Sequence, residues 1–215
     1  MPAVLPPLHA ILDLETAGQR GWRPVDLAMA YFDGGARFLQ VRAKLAGSGA
    51  LLALCEEVVA LGSRYGATVI VNDRPDVARL SGAAGAHVGQ EDLCPADARA
   101  VLGPDAVLGL STHSVEQVAL ALTAPVTYVA VGPVFPTRTK HTGYDSVGLA
   151  LVARAVSLAG PMPVVAIGGI TLDTAPLVWR AGAAAVAVIG DLLEGRDPAA
   201  RVASYNRLAI ARPGG

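Results

Sequence analysis

Short apolar runs alternate along the chain with segments of helical spacing. Most of the runs are continuously apolar rather than alternating in polarity, as is typical of parallel strands covered on both faces. We therefore predict a strand at each run. The runs occupy residues 8–14, 37–43, 67–73, 86–89, 106–112, 127–133, 163–169 and 184–190.

The segments between the runs have the spacing of amphipathic helices. In residues 49–66 one helical stripe is apolar and comprises Leu51, Leu54, Cys55, Val58, Val59 and Gly62. Ser114 is followed three residues later by Gln117, the pattern of a capping box at a helix start. A later helix ends at Gly182, a common stop signal. The pattern thus predicts alternating strands and helices along the chain.

Eight strand–helix pairs in 215 residues predict a single-domain (β/α)8 TIM barrel spanning residues 1–215. An open, doubly wound sheet would produce the same alternation. The count of eight favours the barrel, as does the absence of a GxGxxG turn after the first strand. In a barrel, the carboxyl ends of all strands share one rim, where such enzymes carry their chemistry.

Charge and composition narrow the kind of partner. The net charge of −1 gives no reason to expect nucleic acid or an anionic membrane. Apolar stretches are interrupted before they could span a bilayer, the first residues lack a signal-peptide pattern, and two cysteines are too few for a disulfide framework. We therefore expect a cytoplasmic protein with neither nucleic acid nor a membrane as partner. The oligomeric state stays open, and a homo-oligomer is compatible with the sequence.

Polar side chains cluster at the ends of the predicted strands. Because side chains alternate along a strand, Gln40, Arg42 and Lys44 point to one side of the second strand. The seventh and eighth strands end in glycine-containing loops, at Gly169 and Gly190. The other polar strand ends hold Asn72 and Asp73, then Gln90 and Asp92, then Ser111 and His113, and finally Thr137, Thr139 and Lys140.

This rim has the chemistry of a site for a strongly anionic ligand. Arginine offers a rigid fork and lysine a compact charge, which together suit a diphosphate. Asp73 and Asp92 end neighbouring strands and could share one Mg²⁺, an ion usually held by one or two carboxylates and completed by phosphate and water. The loops after strands seven and eight of barrels often bind phosphate through backbone N–H groups.

Each of these features also has a plainer structural explanation. An aspartate at a strand end often caps the next helix, and a glycine pair often serves a tight turn. Arg42 and Lys44 alone would be a solvated pair on the rim. His87 lies within an apolar strand, and we interpret it as a hydrogen-bonded core residue rather than a catalyst. The functional interpretation rests on the agreement of most strand ends and leaves the reaction open.

In order and spacing, the motifs resemble those of the thiamine-phosphate synthase (thiamine phosphate pyrophosphorylase) family, from the second strand to the last. The combination of GQED and FPTRTK is the most specific part. The resemblance implies a Mg²⁺-dependent transferase of thiamine biosynthesis that joins hydroxymethylpyrimidine diphosphate to thiazole phosphate. Pyrophosphate would leave before the thiazole nitrogen attacks. The matching motifs are QVRAK, VNDRPDVA, AHVGQEDL, LGLSTHS, GPVFPTRTK, VVAIGGI and AAVAVIGDLL.

The resemblance also implies roles for individual residues. Those holding the pyrimidine diphosphate would be Gln40, Arg42, Lys44, Asn72, Ser111 and Lys140, and the metal ligands would be Asp73 and Asp92. The thiazole phosphate would contact Thr137, Thr139, Gly169, Ile189 and Gly190. Catalytic roles fall to Arg42, Lys44, Ser111 and Lys140. The family commonly has serine where this chain has Gly190, so a backbone contact survives there and a hydroxyl contact does not. The first strand matches loosely and receives no role.

Two alternatives stay open beside this interpretation. A paralogous thiazole tautomerase uses a histidine for proton transfer on the same barrel, and His113 lies at a suitable strand end. That paralogue generally lacks the GQED and TxTK signatures, which are intact here. A non-catalytic phosphate-binding module would need neither the pair of aspartates nor Lys140.

Overall fold

Eight parallel strands close into a barrel in which each strand pairs with its neighbours in sequence order. The computed structural model describes residues 5–137 and 145–211. Strand β1 pairs with β8 as well as with β2, so the sheet has no edge. The strands are β1 Leu8–Asp13, β2 Phe38–Arg42, β3 Thr68–Asn72, β4 Gly85–Val88, β5 Val107–Thr112, β6 Tyr128–Val131, β7 Val164–Ile167 and β8 Ala185–Val188. The predicted barrel is confirmed, and the open doubly wound sheet is wrong.

Helices connect the strands and cover the outside of the barrel. In α3, Leu51, Cys55, Val58 and Gly62 are buried as the apolar stripe predicts, while Leu54 and Val59 are half-buried. A short 3-10 helix, Gly190–Leu193, follows β8. The helices described are α1 Leu14–Gln19, α2 Pro24–Asp33, α3 Ser48–Arg64, α4 Pro75–Ser81, α5 Pro95–Leu102, α6 Val115–Ala121, α7 Gly148–Ala159, α8 Ala175–Arg180 and α9 Pro198–Ile210.

The start of α6 differs in one detail from the predicted capping box. Ser114 is the N-cap, and its hydroxyl accepts a hydrogen bond from the Gln117 backbone N–H. A capping box also requires the Gln117 side chain to accept a hydrogen bond from the Ser114 backbone N–H, and this bond is absent here. Its Oε1 instead accepts from the His113 N–H at 2.7 Å. The glutamine therefore fixes the residue at the end of β5 as well as the helix start.

The apolar core has two parts, one inside the barrel and one between the barrel and its helices. Along β2, Leu39 and Val41 pack outward against the helices, whereas Phe38 packs inside the barrel. Gln40 and Arg42 share the inward parity of Phe38 and line the cavity at the barrel's centre. Strand alternation thus turns two polar side chains of β2 towards the inside, where the site lies.

The helices and the two cysteines agree with features expected from the sequence. Among the described residues, no helix combines the length and the apolarity that crossing a bilayer requires. Both cysteines are free, with Cys55 buried in α3 and Cys94 exposed before α5. Burial, helped by Glu56, raises the pKa of the Cys55 thiol to about 12, so this thiol stays protonated and unreactive.

Candidate active site

The predicted site residues that the structure describes gather at the carboxyl ends of the strands. Gln40, Arg42 and Asn72 line a cavity of about 20 Å³ inside the barrel, together with Ile189 at the end of β8. Ser111 is buried beside them at the end of β5. The small cavity leaves the barrel interior filled by side chains, so a larger ligand has to lie at the mouth above it.

Arg42 is fixed by a residue of the first strand, Asp13, which received no role from the sequence. The β1–β2 register places Asp13 opposite Arg42, and the two form an ion pair through Asp13 Oδ2 and Arg42 Nη1. The other carboxylate oxygen accepts from the Thr16 N–H at 2.9 Å and caps α1. Within the described residues, buried Arg42 Nε has no hydrogen-bond partner. The pairing therefore orients the guanidinium and leaves a donor for a ligand.

Lys44 and Asp73 form a second ion pair at the rim, between the loops that follow β2 and β3. Burial raises the pKa of the Asp73 carboxyl; the Lys44 ammonium opposes this shift, and the neighbouring Asp92 carboxyl adds to it. Asp73 and Asp92 are therefore near enough to interact. Asp92 Oδ2 in turn accepts from the Gly89 N–H at 2.7 Å, which fixes its position after β4.

The backbone of Asp73 argues against the simple capping explanation. Arg74, not Asp73, is the N-cap of α4, and no side chain caps that helix. Asp73 has a φ of 63°, the left-handed region, and is the one non-glycine residue there among those described. Its N–H is held by the His87 carbonyl at 2.7 Å. A strained conformation held in place by its surroundings is a feature of functional sites.

Ser111 is held from two sides at the end of β5. The Gln90 amide donates from Nε2 to the Ser111 carbonyl at 2.6 Å. The Ser111 hydroxyl lies 2.8 Å from His87 Nε2, and His87 Nδ1 lies 2.9 Å from the Tyr128 hydroxyl. The structure thus shows His87 as the hydrogen-bonded core residue that was expected, but with a predicted site residue as its partner.

The segment after β6 begins as an extension of the sheet. The Val134 N–H donates to the Ile167 carbonyl at 2.9 Å, and the Phe135 N–H donates to the Gly168 carbonyl at 3.0 Å. These bonds continue the pairing of β6 with β7 towards half-buried Thr137. The predicted site residues Thr139 and Lys140 lie outside the described residues.

Glycine is required where the loop after β7 meets this segment. Gly169 has a φ of 64°, and a Cβ there would lie 2.6 Å from the Pro136 carbonyl oxygen and 2.8 Å from that of Phe135. Next to this loop, Gly190 begins the 3-10 helix after β8. The backbones of the loops after β6 and β7 therefore approach each other closely, and the loop after β8 is the next one around the same rim.

Fold and site together define a (β/α)8-barrel enzyme whose mouth suits a phosphate-bearing ligand. A family model described as thiamine monophosphate synthase matches residues 12–192. The chain belongs to this family and is a transferase of thiamine biosynthesis.

Individual relatives agree with the family assignment. The thiamine-phosphate synthase of Anaeromyxobacter dehalogenans is 45% identical over 183 residues, which is 85% of this chain and 82% of the relative. That of Roseiflexus castenholzii is 40% identical over 209 residues, covering 95% and 89%. The structure of a Pyrococcus furiosus thiamine phosphate pyrophosphorylase has a TM-score of 0.85 at 28% identity, covering 94% and 95%. These similarities favour neither the tautomerase nor the non-catalytic module.

Proposed function

We propose that this chain joins hydroxymethylpyrimidine diphosphate to thiazole phosphate, forming thiamine phosphate and releasing pyrophosphate. The observation that carries the proposal is the meeting of two cations and two carboxylates at one mouth: Arg42 and Lys44 with Asp73 and Asp92. A diphosphate needs cationic donors around its oxygens, and a pair of carboxylates suits a divalent ion that accompanies it.

The residues present fit one Mg²⁺ at Asp73 and Asp92. Burial and the neighbouring carboxyl disfavour the charged form of Asp73, and a cation between the two side chains would reverse this. In residues 5–137 and 145–211 no cluster of three or more His, Cys, Asp or Glu could hold a metal. Two protein ligands leave the remaining positions to phosphate and water, as Mg²⁺ prefers. When bound, the ion would neutralise charge on the departing diphosphate.

The chain's own residues would orient the first substrate and stabilise its leaving group. Arg42, held by Asp13, and Lys44 would bind the diphosphate oxygens. The amides of Gln40 and Asn72, both buried inside the mouth, can donate to and accept from the nitrogens of a pyrimidine. In a dissociative substitution the diphosphate leaves first, so these cations matter most as its charge develops. No protein nucleophile is needed for such a step.

The opposite side of the mouth would hold the second substrate. The backbone N–H groups of Gly169, of Ile189 and of Gly190 at the start of the 3-10 helix would bind its phosphate, and Thr137 would supply a hydroxyl. Such loops after strands seven and eight are the common phosphate site of barrels. The reaction requires that a thiazole bound there present its nitrogen to the pyrimidine carbon that loses the diphosphate.

The test is direct synthesis with the purified chain. Incubation with both substrates and Mg²⁺ is expected to yield thiamine phosphate by mass and equimolar pyrophosphate. Reactions that omit either substrate serve as controls. Pyrophosphate release without thiamine phosphate, or no product with both substrates present, would contradict the proposal.

Gly169→Ala tests the position of the thiazole phosphate. The added Cβ would meet the backbone of Phe135 and Pro136, so the two loops must separate. We expect KM for thiazole phosphate to rise about tenfold or more, with KM for the diphosphate nearly unchanged. Gly66→Ala is the matched control, because Gly66 has a φ of 62° and open space around it. Equal KM values for the two variants would place the phosphate elsewhere.

A further inference from the structure

Three polar side chains from adjacent strands form a chain of hydrogen bonds inside the barrel. Tyr128 of β6 contacts His87 of β4, and His87 contacts Ser111 of β5, at 2.9 and 2.8 Å. We propose that Tyr128 and His87 are positioning residues that make the Ser111 hydroxyl a hydrogen-bond donor towards the diphosphate substrate. The inference rests on the proposed function, because it deepens the role of Ser111 in binding that substrate.

The Tyr128 hydroxyl determines which atoms donate and which accept in this chain of hydrogen bonds. Burial raises the pKa of Tyr128 far above its usual value, so the phenol stays neutral and keeps its proton. Within the part of the chain that the structure describes, its hydroxyl has one polar contact, His87 Nδ1. A buried O–H without an acceptor is costly, so Tyr128 donates to Nδ1.

The rest of the chain of bonds is then determined. A neutral imidazole carries its proton on one nitrogen, and because Nδ1 accepts, the proton lies on Nε2. Nε2–H therefore donates to the Ser111 oxygen at 2.8 Å. The serine's own O–H is left to donate to something else. Ionised diphosphate oxygens are acceptors only, so this polarity matches the proposed ligand.

The direction of these hydrogen bonds differs from that in a Ser–His–Asp triad. In a triad, histidine accepts the serine proton and a carboxylate stabilises the resulting imidazolium. Here the nitrogen facing Ser111 already carries a proton, and the third residue is the neutral phenol of Tyr128. Ser111 is thus arranged to bind an anion and not to attack as a nucleophile.

A glycine makes room for the Tyr128–His87 bond. Gly109 lies between the two residues in the strand register, opposite His87 on one side and opposite Tyr128 on the other. A Cβ at Gly109 would overlap the Tyr128 hydroxyl and His87 Nδ1. The Tyr128 ring is also packed edge-on against Phe38 and His9, with centroids 6.4 and 5.5 Å away. The hydroxyl is therefore held at the histidine by its surroundings.

A double-mutant cycle in the full chain tests the inference. Tyr128→Phe keeps the ring and removes the hydroxyl that donates to His87 Nδ1. The His87 proton is then no longer held on Nε2 and can lie on either ring nitrogen. We expect kcat/KM for hydroxymethylpyrimidine diphosphate to fall about tenfold, with KM for thiazole phosphate unchanged. When Ser111 is already alanine, adding Tyr128→Phe is expected to cause no further fall in kcat/KM for the diphosphate, because the tyrosine affects that substrate only through the Ser111 hydroxyl. Gly109→Ala, which removes no polar group, is expected to reproduce the loss.

Tyr205→Phe is the matched control, because it removes another buried hydroxyl, which donates to Asp191 at 2.5 Å. It should lower stability without changing kinetics for the diphosphate. The inference would be overturned if Tyr128→Phe lowered kcat/KM for the diphosphate equally in the presence and absence of the Ser111 hydroxyl. The tyrosine would then act through packing alone. Unchanged diphosphate kinetics in Ser111→Ala would instead remove Ser111 from the proposed function. Synthesis of thiamine phosphate by the unmodified chain tests that function independently.

Discussion

Asp13→Asn is expected to lower the free energy of unfolding by about 3 kcal/mol, because it leaves the Arg42 charge without its partner. The Asp13 side chain is 2% exposed and that of Arg42 11%, so water compensates little. Asparagine keeps the oxygen that caps α1 through the Thr16 N–H, so the substitution removes charge and spares the cap. Asp13→Ala removes both and should cost about 1 kcal/mol more. Urea unfolding measures each loss.

Binding of an anion separates a functional role of this pair from a structural one. Pyrophosphate is expected to raise the melting temperature of Asp13→Asn more than that of the unmodified chain, because its charge replaces the missing carboxylate beside Arg42. Glu194→Gln breaks an exposed ion pair with Arg20 and should change stability by less than about 1 kcal/mol. Equal pyrophosphate stabilisation of Asp13→Asn and the unmodified chain would show that Arg42 does not meet the phosphate.

The fold could be predicted because its signal is local and repeated. Parallel strands covered on both faces give continuous apolar runs, and each predicted strand end lies within two residues of the one observed. The inward direction of Gln40 and Arg42 also followed, since alternation along β2 is a local property. Lys44 lies beyond the end of β2, where alternation no longer applies, and its direction is seen in its ion pair with Asp73.

The partners across the barrel could not be predicted, because they depend on strand register. Asp13 pairs with Arg42 because the β1–β2 register sets them opposite each other, and periodicity along one strand does not give that register. The bond of His87 to Tyr128 depends in the same way on Gly109 lying between them. An aspartate closing the first strand was the one signal available for Asp13, and it also fits an ordinary helix cap.

Replacing Asp73 or Asp92 is expected to weaken Mg²⁺ binding, because both side chains would hold the ion. Each carboxylate is replaced by the neutral amide, which keeps the shape and removes one charged oxygen ligand. Asp73→Asn and Asp92→Asn are each expected to raise the Mg²⁺ concentration for half-maximal activity about tenfold or more. Because both side chains would hold the same ion, the double variant should lose less free energy of Mg²⁺ binding than the sum of the losses in the two single variants. A second readout is the Mg²⁺ dependence of pyrophosphate binding, measured by calorimetry.

Removal of Mg²⁺ should weaken binding of the diphosphate as well as slow the reaction. Without the ion, the two carboxylates would repel the diphosphate, and the Lys44 ammonium beside Asp73 would offset only part of their charge, so a chelator should also weaken pyrophosphate binding. His113→Ala is the control: the His113 ring contacts the Gly132 carbonyl at 2.5 Å and lies outside the proposed ligand pair. We expect it to leave the Mg²⁺ requirement unchanged and to reduce activity far less than either aspartate variant. Activity that persists in a chelator but collapses in His113→Ala would contradict the Mg²⁺-dependent substitution, because it would make histidine proton transfer the essential step.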